Sequence, residues 1–359
     1  MRIAVLGTGL IGGSIGLAAG ARVAGAEVAG YDPDAGALAA AHDRGAIDAA
    51  AGSVREAVAG ASACFCCAPV GVLADLVREA LAAAPADCVV SDVGSTKRAI
   101  AAASEDERFV PGHPVAGAET AGIEHARADL FEGATWYLTP REHASGLLYE
   151  RLHRLVAGLG AHPVAIEPDA HDRLLAAVSH LPHVLANMLV SRVAGIVEAE
   201  SEAAVPRVGP SFRDATRVAG ANPAIWRDIY ASNASAIAAE IDAAVEALRG
   251  LADSLRAGDA EAIAAWGDAA RADRTRVLEA ELVGGPAREL RLTVPNRPGI
   301  VAQVALALGR AGVNIADMAL APAADMSSGA MTLWVAGDET AARACELIEE
   351  LGFPVEVAA

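Results

Sequence analysis

The segment Gly7-Thr8-Gly9-Leu10-Ile11-Gly12-Gly13-Ser14 constrains the fold more than any other, because of what stands on either side of it. Before it, Ile3 to Leu6 has the short apolar pattern of a buried strand; after it, an Ala-, Leu- and Ile-rich stretch reads as a helix. In such a strand–turn–helix unit the first glycine permits the tight turn, the second lets a pyrophosphate approach the backbone, and the third lets helix and strand pack closely. The helix N-terminus adds unpaired N–H groups and positive potential. Gly7, Gly9, Leu10, Ile11 and Gly12 are therefore the candidate phosphate-binding positions. A second strand, Glu27 to Tyr31, ends at Asp32, where a carboxylate can accept adenosine ribose hydroxyls and repel an added 2′-phosphate. Pro33 and Asp34 follow, with no adjacent arginine to compensate, so the expected cofactor is NAD rather than NADP.

Residues 1–168 continue the same rhythm, with further strands expected at Ala63 to Ala68, Cys88 to Asp92 and Thr135 to Leu138 and helical patterns between several of them. From Asp169 the pattern turns helical: Asp169 to Glu200, with Pro182 as a candidate kink, then Ile225 to Leu248 and Asp259 to Leu282. Residues 169–283 are thus an all-helical domain, closed by Val283-Gly284-Gly285-Pro286. Residues 288–359 read β-α-β twice: strand Glu289 to Val294, helix Val301 to Ala311, strand Val313 to Ala319, strand Ala330 to Val335, helix Asp338 to Leu351, strand Phe353 to Val357. The fold class is an α/β Rossmann domain, an all-helical domain and a small ferredoxin-like α+β domain.

A formal net charge of −18 disfavours nonspecific contact with nucleic acid or anionic membrane. A small anion can still bind where arginine, histidine and backbone N–H groups converge. Five cysteines, with Cys64, Cys66 and Cys67 clustered in an apolar run, form no disulfide framework and read as buried strand thiols of a reducing, cytoplasmic protein. The glycines after Leu6 interrupt any export signal, and no uninterrupted apolar stretch of membrane-spanning length is apparent.

Three segments carry candidate chemistry. Ser91-Asp92-Val93-Gly94-Ser95-Thr96-Lys97 follows a buried strand, where loops of an open α/β sheet face the cofactor crevice. Lys97 is the sole lysine of the chain, either turned to the crevice or at a helix start capped by Ser95 or Thr96. His113, between Gly112 and Pro114, reads as a loop histidine able to take a hydroxyl proton while hydride leaves the same alcohol carbon, or as a structural loop residue. Glu119 either orients a histidine, gates a pocket or lies on the surface. In the helical domain His171, His180 and His183 cluster; zinc is disfavoured because no HExxH pattern or matching cysteine set is present. Arg213 and Arg217 either fork onto a carboxylate or pair with nearby acids.

Taken together, the nucleotide motif, Asp92 to Lys97, His113 to Glu119, Leu130-Phe131-Glu132-Gly133, Ser179 to His183, and Phe212 to Arg217 through Trp226-Arg227-Asp228 resemble the prephenate dehydrogenases, whose relatives include arogenate-using enzymes. The resemblance runs over essentially the whole chain. It implies NAD-dependent oxidative decarboxylation of prephenate to 4-hydroxyphenylpyruvate and carbon dioxide in tyrosine biosynthesis. It also implies His113 as the catalytic histidine, Ser95 as the serine holding the ring hydroxyl, Arg217 on a substrate carboxylate, His183 near the pyruvyl side chain and Glu119 at the entrance. Arg213, His180 and Trp226 complete the expected substrate set, and Lys97 joins the cofactor set. A homodimer through the helical domain is implied, with Trp226 approaching the neighbouring subunit's pocket.

The C-terminal segment resembles an ACT regulatory module, with Asn296, Pro298 and Gly299 at its first strand–helix turn and Asn314 and Ile315 leading into its second strand. That implies tyrosine as an inhibitor, or a dimerisation domain without ligand. The competing readings are an arogenate dehydrogenase, a catalytically silent sensor of NAD and amino acid, and a β-hydroxyacid dehydrogenase. The last lacks the lysine its helical domain requires.

Overall fold

The computed structural model describes residues 1–117, 120–199, 208–280, 286–295, 315–323 and 327–358, together with Ile300, Gln303, Val304, Ala307, Leu308, Ala311 and Val313. It divides into two compact units, Met1–Val245 and Glu246–Ala359.

The first unit opens with β1 (Arg2–Leu6), β2 (Glu27–Tyr31), β3 (Ala49–Ala50), β4 (Ala63–Cys66) and β5 (Val89–Asp92) in one parallel sheet of order β3-β2-β1-β4-β5. Chain order reverses between β1 and β4, and in such sheets the crevice outside the strand ends at that reversal is where ligands bind. Ile3, Ala4, Val5 and Leu6 are buried, as are all four residues of β4 and of β5, so these strands are buried without alternation, as in sheets covered on both faces. Cys64 and Cys66 are buried thiols of β4, and all the cysteines are unpaired. Burial raises the Cys88 thiol to about 12.

A second sheet adds β6 (Gly112–Pro114), β7 (Thr135–Leu138) and β8 (His162–Ala165). Here the expectation of a loop histidine is corrected: His113 sits on β6, opposite Tyr137 of β7, and is buried. A three-residue strand holding both a glycine and a proline carries no periodic signal, which is why it reads as loop. Phe65, Phe131 and Trp136 pack behind it with ring centroids 5.1–5.9 Å apart.

Helix Pro168–Leu175 continues through a five-residue π turn, Ala176–His180, into helix Leu181–Ala199. Leu181 N–H bonds the carbonyl of Ala176, five residues back. Pro182 has no N–H and its ring crowds the carbonyl four residues earlier, so widening the turn before it relieves a clash that a regular helix would suffer. By length and composition Pro168–Ile196 is apolar enough to cross a membrane, although Asp169, Asp172, Arg173 and Arg192 interrupt it. It carries the buried side chains of His171, Asp172, His180 and His183, while Leu174, Val178, Met188 and Ile196 are exposed. The helix expected over Ile225 to Leu248 is broken into Pro223–Ser232 and Ala234–Ala257 at Asn233, whose buried amide bonds other segments instead.

In the second unit, β9 (Ala287–Pro295), β10 (Ile315–Pro322), β11 (Ser328–Ala336) and β12 (Val355–Val357) form an antiparallel sheet of order β10-β11-β9-β12, covered by helix Asp338–Glu350. Leu290, Leu292 and Val294 of β9 and Met331, Leu333 and Val335 of β11 alternate inward to make its core. The helix expected over Val301 to Ala311 lies largely outside the described residues.

Candidate active site

The glycine turn after β1 is held from two sides. Gly7 has φ +101°, and a Cβ there would lie 2.0 Å from the Cys67 carbonyl oxygen; a Cβ on Gly12 would lie 1.9 Å from the Gly7 carbonyl oxygen. Neither position admits another residue. Gly9 differs, because a Cβ there would meet nothing within 4 Å. The absence of a side chain leaves that face of the turn open. Helix Leu10–Arg22 starts at Gly9 with no side-chain cap, so its first-turn N–H groups, at Leu10, Ile11 and Gly12, lack the partner that a capping side chain would supply. Asp32 closes the turn: its Oδ2 accepts from the Thr8 backbone N–H at 2.7 Å and the Thr8 hydroxyl at 3.2 Å. An open backbone face, orphan N–H groups and a carboxylate beside them are the donor and acceptor set a dinucleotide diphosphate and ribose require.

Asp92, at the end of β5, organises the next loop. Its Oδ2 accepts from Gly94 N–H at 2.8 Å and its Oδ1 from Gly112 N–H at 3.2 Å, tying β6 to the loop. Lys97 pairs with the same carboxylate, and both side chains are completely buried. The expected contact between Lys97 and a dinucleotide is corrected: the only lysine turns inward to neutralise Asp92. Burial lowers the Lys97 ammonium below its ordinary range, opposed by Asp92. Ser95 is half-buried on this loop, and the neighbouring Thr96 hydroxyl donates to Ser232 at 2.9 Å.

His113 does not stand alone. Its Nδ1 lies 2.9 Å from His171 Nε2, the two rings edge to face, and His171 Nδ1 lies 2.8 Å from Asp172 Oδ1. The Asp172 carboxylate also accepts the backbone N–H groups of Lys97 at 2.6 Å and Arg98 at 2.9 Å. Burial pushes His113 well below the ordinary imidazole range, helped by His171, Lys97 and His180, so it is neutral near pH 7. Burial also lowers His171, but Asp172 works against it. Burial raises Asp172, yet the hydrogen bonds from His171 and the two backbone N–H groups outweigh it and keep the carboxyl ionised. His171 and Asp172 were missing from the sequence-derived catalytic set. Their adjacency ahead of Ser179 to His183 is visible, but their meeting with His113 depends on packing between distant parts of the chain.

The other histidines meet Trp226. His183 lies parallel to it at 3.5 Å, and His180 meets it edge-on at 5.9 Å. His183 Nδ1 accepts from the Tyr230 hydroxyl at 2.5 Å and from Asn187 Nδ2 at 3.2 Å, leaving its buried Nε2 as an N–H with no partner. His180 is corrected from ligand contact to support: it is buried, its Nδ1 accepts from Asn233 at 3.2 Å, and burial drives it down to about 4. Trp226 reaches His183 within one chain, so its place is not confined to a neighbouring subunit. Arg213 and Arg217 are exposed on helix Pro210–Thr216 and the turn Arg217–Gly220, both packed against helix Leu181–Ala199. Glu119, Asn296, Pro298, Gly299 and Asn314 lie outside the described residues; Ile315 begins β10. Among the described residues no group of three or more His, Cys, Asp or Glu is arranged to hold a metal ion.

Comparison with known proteins decides the family. Residues 15–165 match the nucleotide-binding domain of prephenate dehydrogenase, 167–267 its dimerization domain, and 290–352 an ACT domain like that of the AHAS small subunit. A cyclohexadienyl dehydrogenase of Zymomonas mobilis is 31% identical over 72% of this chain and 90% of its own length. The chain belongs to the prephenate dehydrogenase family. The prephenate dehydrogenase of Bacillus subtilis is 29% identical over 97% of this chain and 95% of its own, so the similarity includes the ACT domain. The crystal structure of prephenate dehydrogenase from A. aeolicus, in complex with hydroxyphenyl propionate and NAD+, superposes with a TM-score of 0.70 at 25% identity, covering 77% of this chain and 98% of that one. The three-part fold of Rossmann, helical dimerization and ACT domains is thereby established, together with membership of an NAD-linked oxidoreductase family of aromatic amino acid biosynthesis.

Proposed function

We propose that this chain catalyses the NAD-dependent oxidative decarboxylation of prephenate to 4-hydroxyphenylpyruvate and carbon dioxide. The observation that carries the reading is the state of His113: neutral, bonded inward through Nδ1, and so left with Nε2 as the atom that can take a proton. NAD, when bound along Gly7 to Gly12 and Asp32, supplies the acceptor for hydride from the ring carbon that bears the 4-hydroxyl. As that carbon is oxidised, His113 Nε2 takes the hydroxyl proton, with the Ser95 hydroxyl holding the oxygen. The ring carboxylate then lies on a vinylogous β-keto acid and leaves as carbon dioxide, its electrons flowing into the new carbonyl as the ring becomes aromatic. The protein supplies orientation and charge control for a step that aromatisation drives.

His183 favours prephenate over arogenate. Its Nδ1 is occupied as an acceptor, so its unpartnered Nε2 presents a donor, which suits the keto oxygen of a pyruvyl side chain and opposes an ammonium group. Arg217 and Arg213 supply guanidinium groups for the substrate carboxylates, and Glu119 the entrance. The exposed apolar side chains along Pro168–Ile196 support a homodimer through the helical domain. The ACT fold supports inhibition by tyrosine near the turns that carry Asn296, Pro298, Gly299, Asn314 and Ile315. Purified protein mixed with NAD and prephenate should generate NADH and 4-hydroxyphenylpyruvate faster than with arogenate. His113→Ala should reduce turnover at least ~100-fold, the usual scale for a general base, with NAD affinity little changed. Failure of both substrates to reduce NAD while tyrosine still binds overturns the enzyme in favour of a sensor.

A further inference from the structure

We infer that His171 and Asp172 are positioning residues that fix the tautomer of His113, so that its Nε2 is the bare, proton-accepting nitrogen. The inference rests on the reading of His113 as base and extends it to two residues with no assigned role.

The argument follows the protons inward from a group of fixed character. Asp172 is ionised and can only accept, so the ring nitrogen facing it, Nδ1 of His171, must carry a hydrogen. A neutral imidazole with hydrogen on Nδ1 has a lone pair on Nε2. That nitrogen faces His113 Nδ1 at 2.9 Å, so His113 in turn must donate from Nδ1 and keep Nε2 bare. One carboxylate thus sets two rings in series. When His113 accepts the substrate's hydroxyl proton on Nε2, the hydride having gone to the nicotinamide cofactor, the new imidazolium keeps its Nδ1–H on His171. The charge is then supported through that ring by Asp172.

The same carboxylate holds the Ser95 loop, through the N–H groups of Lys97 and Arg98, and its own carbonyl accepts from Asn233 at 2.7 Å. Asp172 is therefore fixed on four sides and cannot rotate away from His171. The other charged or titratable groups facing the ring pair are Lys97 and Asp92 from the loop after β5, Tyr137 from β7 and His180 from the π turn. Lys97 and Asp92 neutralise one another, and His180 is neutral, so among the described residues Asp172 is the uncompensated charge in contact with the pair.

The test combines tautomer spectroscopy with kinetics. In 15N-histidine-labelled full-length protein, with His113→Gln assigning the signal, long-range proton–nitrogen spectra should show His113 protonated on Nδ1 and bare on Nε2. In Asp172→Ala no acceptor holds the hydrogen on His171 Nδ1, and a large fraction of His113 should appear protonated on Nε2. Turnover of that variant with prephenate should fall by ~100-fold or more, while NAD affinity stays within about threefold, because the base loses both its fixed tautomer and the carboxylate that supports its charge. His171→Leu should lose turnover similarly, and His171→Gln, whose amide oxygen can accept from His113 Nδ1–H, should recover at least about tenfold of it. If Asp172→Ala does not fold, the His171 pair and the wild-type spectrum decide. A wild-type His113 protonated on Nε2, or equal turnover in His171→Leu and His171→Gln, overturns the inference. The spectrum does not depend on substrate: the stated tautomers in a protein that oxidises neither prephenate nor arogenate would sustain the inference and remove the functional reading.

Discussion

His183 and Trp226 lie face to face with parallel rings 3.5 Å apart, and the indole also meets His180 edge-on. One indole thus covers a face of the histidine assigned to the substrate side chain and steadies its neighbour. Aromatic contacts of this kind contribute about 1 kcal/mol beyond simple burial. Trp226→Ala should raise KM for prephenate about fivefold to tenfold and leave NAD affinity unchanged, measured by steady-state kinetics and by titration with NAD. An unchanged KM would remove Trp226 from the substrate pocket.

Two glycines three positions apart in the motif, Gly9 and Gly12, should behave oppositely. Gly9→Ala has room, since its Cβ meets nothing within 4 Å, so the melting temperature should hold while NAD affinity falls at least tenfold from obstruction of the diphosphate. Gly12→Ala places a Cβ 1.9 Å from the Gly7 carbonyl oxygen and should destabilise the domain itself. Calorimetry with and without NAD separates the two, and equal thermal losses in both variants would contradict the assignment of Gly9 to a ligand.

Lys97 and Asp92 are both sealed from water, so removing one charge strands the other. Lys97→Met should cost about 3–5 kcal/mol, read from denaturant midpoints, because an uncompensated buried carboxylate remains. Lys97→Met combined with Asp92→Asn should recover a large part of that loss. A single variant as stable as the wild type would mean that the ion pair is absent in solution.

Acid should destabilise the protein well above the range where carboxylates titrate. Burial lowers His113, His171, His180 and His183, and for His180 the drop is from 6.5 to about 4. For such a base the unfolded chain binds protons that the folded one refuses. The stability is complete above the unfolded value and is lost as pH falls from 6.5 towards 4, at up to about 1.4 kcal/mol per pH unit for each histidine held neutral. Melting temperatures should therefore fall steadily below pH 6.5; a flat profile between pH 6.5 and 5 would show that these rings are already charged in the fold.

What the sequence disclosed, and what it withheld, divides by range of interaction. The turn from Gly7 to Gly12 was legible because strand, turn and helix are contiguous and each glycine answers a local steric demand. The alternation in β11 was legible for the same reason: one face of the strand is buried and the other is not. By contrast β6 is three residues long, and only its pairing with β7 makes it a strand. Asn233 interrupts an otherwise helical pattern because its amide bonds Asp172 and His180, which lie far away in sequence. The candidate base was found from its neighbours Gly112 and Pro114, but its partner His171 stands 58 positions further on, and no periodicity joins them.

The sealed side chain at position 97 also makes the chain a chemical clock read at a single lysine. No lysine ammonium is presented to solvent by the folded protein, although the sequence contains one. An amine-acylating reagent should label Lys97 only at the rate at which the loop after β5 opens, and a lysine-specific protease has one peptide bond to cut, at the same place. Either reaction, followed with and without NAD, would time the breathing of that loop without any engineered probe.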